Sequence, residues 1–390
     1  KFENNKIYLY QITQNADIVD DKKDKNINFL QGSLYGMGRV FMNEYPNHHI
    51  RMIDIGCPKI EDNINLIIAE INKEEQIPYE TEIAIRDYGR FARKLVEFDQ
   101  KKQPNRDLAF TPNSTYLITG GPSGLGLTLA QWLFEEKNIK NFALMSRSGP
   151  KYDQDKKIIS QMQQKGANII WQEVIADVTK ENEVQKAIDY IKDNMPPLKG
   201  IIHSAGLLDD SSIPNMNKEK FFKIFNPKAL GGWNLHRATL DIKLDLFLLI
   251  SSVSSIIGIA GQTNYSSANN FLNYLSLYRN CSNESSRAIC FGMLSGSFAG
   301  MSKQQSGLED LTAKTVGLIA MDKKLMLNSM EDTLYNSNSC YYMISSMNWS
   351  IFFESHSASS NILLLGDILK NNSKIILIDN EYERPAIYSV

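Results

Sequence analysis

Ser252 and Tyr265 stand thirteen residues apart, Ser252 at the end of the apolar run LDLFLLISS and Tyr265 at the start of a stretch with helical character. A hydroxyl at a strand end and a phenol at the start of the next helix can converge on one carbonyl oxygen. Upstream, Thr119-Gly120-Gly121-Pro122-Ser123-Gly124-Leu125-Gly126 sits where the strand-like run TYLIT turns into a second helical segment. There Leu125, Leu129, Trp132 and Leu133 recur at i, i+4, i+7 and i+8, one face of a helix. Glycine at such a bend lets backbone approach a nucleotide pyrophosphate and leaves N–H groups unshielded. Pro122 has no N–H to give, so its neighbours carry that contact.

The following strand, FALMSR, ends in Ser146-Arg147-Ser148-Gly149. An acid at this place would accept the ribose 2′-hydroxyl of NAD, whereas a hydroxyl and a guanidinium suit a 2′-phosphate. The expected cofactor is therefore NADPH. Asp177-Val178, beyond the third strand, is placed against the adenine. Ser204-Ala205-Gly206, at the end of the fourth, offers small residues on which the cofactor can lie flat.

These groups need a scaffold, and the runs TYLIT, FALMSR, NIIWQEVI, GIIHSAG, LDLFLLISS, RAICFG and YYMISS supply seven strands with crossover helices between them. That alternation predicts a doubly wound parallel sheet. Residues 6–98 repeat the alternation on a smaller scale: KIYLYQI, HIRMIDI and ETEIAIR are strand-like, and 29–44 and 61–73 carry helical spacing. Here the first strand runs into QNADIVDD, with no glycine and three acids, so a phosphate would meet negative charge. The fold class expected is α/β, two Rossmann-like subdomains with doubly wound parallel sheets, only the C-terminal one binding cofactor. The boundaries are 1–98 for the structural subdomain, 99–113 for a polar linker, 114–354 for the catalytic subdomain, and 355–390 for a tail whose role the sequence does not assign.

Composition narrows the class of partner. With 42 Lys+Arg against 44 Asp+Glu the formal charge is −2, which disfavours nucleic acid or an anionic membrane as the main partner. No apolar run reaches the length of a membrane span. Cys57, Cys281, Cys290 and Cys340 are scattered without ligand spacing, which fits free buried thiols in a cytoplasmic setting and no metal centre. His203 and His236 lack carboxylate or Cys companions and read as packed, hydrogen-bonded side chains. The first residue is Lys rather than Met, the expectation for a segment of a longer chain.

In short-chain dehydrogenases a Lys commonly follows the Tyr by one helical turn; here that position is Asn269, and a Lys, Lys228, stands 24 residues before Ser252. With this exchange the chain resembles the ketoreductase domain of modular polyketide synthases and animal-type fatty acid synthases. The residues that carry the resemblance are TGGPSGLG, SRSG, HSAG, NPKALGGWNLH, SSVSSIIGIAGQTNYSSANNFL and NWSIFF. The runs QGSLYGMGRVFMNEYP and ETEIAIRDYGRFARKL resemble that family's structural subdomain, so the likeness spans roughly residues 5–354. It implies NADPH-dependent reduction of a β-ketoacyl thioester to the β-hydroxyacyl thioester, within a polyketide or fatty acid synthase. Tyr265 would be the proton donor, Ser252 the hydrogen-bond donor to the carbonyl oxygen, Lys228 the cation beside the phenol, and Asn269 the holder of a relay water. The partners implied are an acyl carrier protein with a phosphopantetheine arm and other domains of the same synthase.

One departure qualifies the fit, and one match bears on the product. Where the family shows Trp-Gly-Pro this chain has Phe291-Gly292-Met293, ahead of the lid over the substrate. Leu208-Asp209-Asp210, with Ile257 in place of a Trp, matches the class that forms a D-hydroxy (B-type) product. Two other functions stay open at this point: a degenerate ketoreductase acting as scaffold, and a free-standing reductase of small ketones.

Overall fold

In the computed structural model, residues 7–20, 23–24, 27–57, 59–73, 80–97, 110–296, 308–335, 339–355 and 386–389 are described. The expected linker lies mostly outside these residues, as do the helix- and strand-like runs of the tail, NILLLGDIL and KIILIDN.

The first half contains β1 (Tyr8–Gln14), α1 (Ser33–Glu44), β2 (His49–Ile55), α2 (Ile60–Ile71), β3 (Glu82–Arg86) and β4 (Gly89–Ala92). Strands β1, β2 and β3 are parallel, and β4 returns antiparallel on β3 through a turn at Gly89. The parallel βαβαβ unit is the one expected; the closing hairpin is additional. Almost every residue of β2 and β3 is buried, as in a parallel sheet covered on both faces.

The second half follows with β5 (Val96–Glu97), β6 (Thr115–Thr119), α3 (Gly124–Glu136), β7 (Asn141–Met145), α4 (Asp153–Gln164), β8 (Asn168–Ile170), α5 (Glu181–Asn194), β9 (Leu198–His203), α6 (Lys218–Arg237) and β10 (Leu246–Ser252). Then come α7 (Ser254–Ile257), α8 (Thr263–Cys281), β11 (Arg287–Phe291), α9 (Leu308–Thr315), β12 (Leu318–Ile319), α10 (Lys323–Tyr335), β13 (Tyr341–Met347), α11 (Trp349–Ser355) and β14 (Ala386–Ser389). The seven parallel strands run in the order β8-β7-β6-β9-β10-β11-β13, with β5, β12 and β14 adding antiparallel edges. The strand expected at NIIWQEVI stops at Ile170, and only Ser146 and Ile175 bridge beyond it.

Side chains alternate between the two faces of this sheet. Leu117, Ile201, Leu249 and Ala288 belong to one core; Tyr116, Ile118, Ile202, Leu248 and Ile289 belong to the other. The first core continues into the first half through Phe29, Tyr35, Met42 and Met52. The two sheets are thus separate, but the apolar interior on this side is shared. Helices α1 and α8 meet closely there: a side-chain carbon at Gly36 would lie 2.4 Å from the Ser266 carbonyl oxygen. Buried Arg39 of α1 forks onto Glu82 at 2.6 and 2.7 Å, and Arg93 reaches Tyr274 at 2.9 Å and Tyr341 at 2.8 Å across the junction. Of the four free cysteines, Cys57 and Cys290 are buried, Cys340 is half-buried and Cys281 is exposed, so the expectation of buried thiols fails at Cys281.

Candidate active site

The strand order reverses between β6 and β9, and in a doubly wound sheet that crevice, at the carboxyl ends of the strands, is where ligands sit. Thr119 pairs in register with Met145 on one side and His203 on the other, and His203 with Leu249 of β10. The glycine loop, Ser146-Arg147, Ser204-Ala205-Gly206 and Ser252 therefore all leave the sheet at one edge.

The loop is shaped for close approach. Gly120 and Gly124 have φ of +67° and +56°, and a side-chain carbon at Gly126 would meet the Gly120 carbonyl oxygen at 2.5 Å. The first turn of α3 has no intrahelical acceptors for its N–H groups, and Ser123 does not cap them with its side chain. Ser123 Oγ instead accepts from Lys151 N at 3.0 Å. Positively polarised N–H groups thus face the crevice, which suits a pyrophosphate. Arg147 is exposed at the end of β7, and Ser146 Oγ accepts from Gly149 N at 2.9 Å. Asp177 is engaged by Thr179, through N at 3.0 Å and Oγ1 at 2.8 Å. Burial raises the Asp177 carboxyl, but these bonds and the Arg147 charge outweigh it and hold it below the usual range. Val178 is buried against α6, with its carbonyl taken by Asn234 Nδ2 at 2.9 Å.

The four candidate catalytic residues come together beside this edge. Lys228 reaches in from α6, one residue after Pro227, whose missing N–H interrupts the helix ladder. Its Nζ donates to the Ile250 carbonyl at 2.8 Å, two residues before Ser252, and lies 5.5 Å from the centroid of the Tyr265 ring. Burial pushes the Lys228 ammonium down to about 7. Burial also raises the Tyr265 phenol, while the side chains of Asn269 and Ser252 beside it pull the other way. Asn269 Nδ2 donates to the Tyr265 carbonyl at 2.8 Å; its Oδ1 is buried and has no hydrogen-bond partner among the described residues. Asn264 Oδ1 accepts from Tyr265 N at 2.8 Å, so both ends of the helical turn carrying the phenol are tied by side-chain amides.

Two residues do more than the sequence suggested. His203 Nε2 contacts the Lys228 carbonyl at 2.9 Å and its Nδ1 contacts Thr119 Oγ1 at 2.7 Å. A carbonyl only accepts, so Nε2 carries the proton and Nδ1 accepts from the Thr119 hydroxyl. Thr119 Oγ1 accepts in turn from Ala205 N at 3.2 Å. The chain Ala205–Thr119–His203–Lys228 ties the glycine-loop strand to the lysine, and the Thr119 side chain is spent inside it. Burial and the nearby Lys228 charge hold His203 at about 4, so it stays neutral. His236 is likewise neutral, lowered to about 4 by burial and by Arg279, which sits 2.6 Å from its Nδ1. Arg39, Asn43 and Glu44 of the first half also bear on the site, and spacing could not flag them: their partners lie more than 160 residues away. Phe291 ends β11 buried, and Met293 O accepts from Met321 N at 2.9 Å; the segment beyond Gly296 lies outside the described residues.

Residues 114–296 match the family model described as the KR domain. The reducing polyketide synthase DEP5 of Alternaria brassicicola is 34% identical over 224 residues, 57% of this chain and 9% of that protein. The phenolphthiocerol synthesis polyketide synthase type I Pks15/1 of Mycobacterium marinum is 30% identical over 222 residues, 57% of this chain and 10% of its own length. The chain thus spans about a tenth of the length of these relatives. In fold it is similar to PlmKR1, a ketoreductase from the first module of phoslactomycin biosynthesis in Streptomyces sp. HK803, with a TM-score of 0.79 at 24% identity. That likeness covers 91% of this chain and 79% of the other. Over residues 114–296 the chain is thus similar to the KR domain, in sequence to parts of polyketide synthases and in fold to a ketoreductase.

Proposed function

We propose that the chain reduces a β-ketoacyl thioester, held on the phosphopantetheine arm of an acyl carrier protein, to the β-hydroxyacyl thioester within a larger synthase. The observation that carries the reading is Lys228 Nζ, buried, 5.5 Å from the Tyr265 ring and bonded to the Ile250 carbonyl of the strand that ends in Ser252. NADPH would be held by the loop Gly120–Gly126, by Ser204–Gly206 and by Arg147 at the 2′-phosphate, and when bound it supplies the hydride. Tyr265 donates the proton that the carbonyl oxygen gains. A phenol has a pKa of about 10, so the phenolate left behind needs a nearby positive charge, and Lys228 provides it. Ser252 donates a hydrogen bond to the carbonyl oxygen as charge grows there. The free Oδ1 of Asn269 supports a water that returns a proton to Tyr265. The loop Leu208-Asp209-Asp210 lies over the start of α8, Asn264 Nδ2 donating to the Asp209 carbonyl at 3.0 Å, and we assign it the D-hydroxy product.

The test is NADPH consumption with a β-ketoacyl thioester surrogate, with analysis of product configuration. Wild type should turn over, and Tyr265→Phe should lose about 10²–10⁴-fold while still binding NADPH. No turnover by wild type would overturn the reading in favour of a scaffold. Turnover of small ketones but not thioesters would favour a free-standing reductase.

A further inference from the structure

Helix α1 belongs to the half without a glycine loop, yet three of its residues hold backbone between Ser252 and Tyr265. Arg39 Nη1 donates to the Ser255 carbonyl, and Asn43 Nδ2 donates to the carbonyls of Ile257 and Gly258, both at 3.0 Å. Glu44 differs from these, because its two oxygens serve two separate loops. Oε1 accepts from Gly261 N at 2.8 Å, in the connection that leads to Tyr265, and Oε2 accepts from Ile213 N at 2.8 Å, in the loop that follows β9. The two loops also hold each other: Ser211 N donates to the Gly261 carbonyl at 2.8 Å, and Gln262 Nε2 to Asp210 Oδ2 at 2.9 Å. Asn264 closes the ring by donating to the Asp209 carbonyl at 3.0 Å, one residue before Tyr265.

We infer that Glu44 is a positioning residue for the reduction, its carboxylate setting the spacing between the loops 209–213 and 258–262 so that together they form the wall beside Tyr265. The inference rests on the function proposed above, in that the wall is where the acyl thioester must lie as its carbonyl meets the phenol. A carboxylate is suited to this, since each oxygen can hold one N–H in a charge-assisted bond. Gln offers one acceptor oxygen and can hold one loop; Ala holds neither.

The test uses the whole 390-residue chain as wild type, Glu44→Gln and Glu44→Ala. With a β-ketoacyl N-acetylcysteamine thioester, Glu44→Ala should raise KM about tenfold or more and erode the product's enantiomeric ratio. Its Kd for NADPH should stay within about twofold, because the Glu44 carboxylate bonds to Ile213 and Gly261, neither of which is among the proposed NADPH-binding residues. Glu44→Gln should fall between the two. Unchanged KM and enantiomeric ratio in a folded Glu44→Ala, or a loss of NADPH affinity as large as the rise in KM, would overturn the inference. A second measurement does not depend on turnover: amide hydrogen exchange at Gly261 and Ile213 should quicken together in Glu44→Ala. If it does not, the clamp is refuted even where wild type proves inactive; if it does while wild type is inactive, the clamp stands and only the reading of the reaction has failed.

Discussion

After β6 the chain bends through Gly120 and Gly124 at positive φ and enters a helix whose first N–H groups are left uncapped by the Ser123 side chain. After β1 it bends through Asn15 at φ +50°, and there the free N–H groups are already taken. Asp54, near the end of β2, accepts from Ala16 N at 2.9 Å, Asp17 N at 3.2 Å and Thr13 Oγ1 at 2.8 Å, and Arg86 neutralises it at 2.7 Å. A carboxylate of the chain itself thus occupies the place a phosphate takes in a nucleotide-binding half. Both halves present positively polarised N–H groups after a strand, and in the first half a carboxylate of the chain itself satisfies them. The first half also grips α8 and the backbone that leads to Tyr265.

Substitutions can break this contrast from either side. The largest effect is expected from Lys228→Met, which should cut turnover by about 10²–10⁴-fold without weakening the fold at neutral pH. Burial lowers the Lys228 pKa from 10.5 to about 7, so between those values the native chain binds fewer protons than the unfolded one. The cost is then full below about pH 7, of the order of 5 kcal/mol, and is relieved as pH rises toward 10.5. Urea melts across pH 7–10 should show wild type gaining stability relative to Lys228→Met; parallel curves would refute a buried, depressed lysine.

In the other half, Asp54→Ala should cost about 3–5 kcal/mol, because Arg86 and the Ala16 and Asp17 N–H groups lose a buried anion. It should not create a second nucleotide site, so titration of NADPH should still give one site per chain. Arg147→Ala should weaken NADPH about 10- to 100-fold and leave NADH unchanged, measured by nucleotide fluorescence; equal weakening of both would remove the 2′-phosphate assignment. Ser123→Ala should do least, about 1 kcal/mol or less in stability and no more than about twofold in NADPH affinity, since Ser123 Oγ serves Lys151 rather than the helix end.

The parallel sheets, the glycine loop and the Ser252–Tyr265 pair were legible because each rests on spacing within one strand–turn–helix unit. Apolar runs bounded by glycine or polar residues, and helical periodicity after them, are set by contacts near in sequence. The short β8 was not legible: NIIWQEVI carries strand-forming residues to its end, but only the first three pair along β7. The added edges β4, β5, β12 and β14 are brief pairings chosen by what lay beside them.

The sequence by itself determined which residue types could do the chemistry, that a glycine loop follows the first strand of the second half, and that QNADIVDD, without glycine, follows the first strand of the first half. Tertiary structure alone decided that Lys228, far from Tyr265 along the chain, stands over its ring, and that His203 fixes it there through a carbonyl. It alone decided that Asp54 seals the first half's loop and that Glu44 joins two loops of the second. The reason is physical. Buried polar groups must find partners, and which backbone N–H or carbonyl lies within 3 Å depends on how whole helices pack, not on the residues that flank the group in sequence.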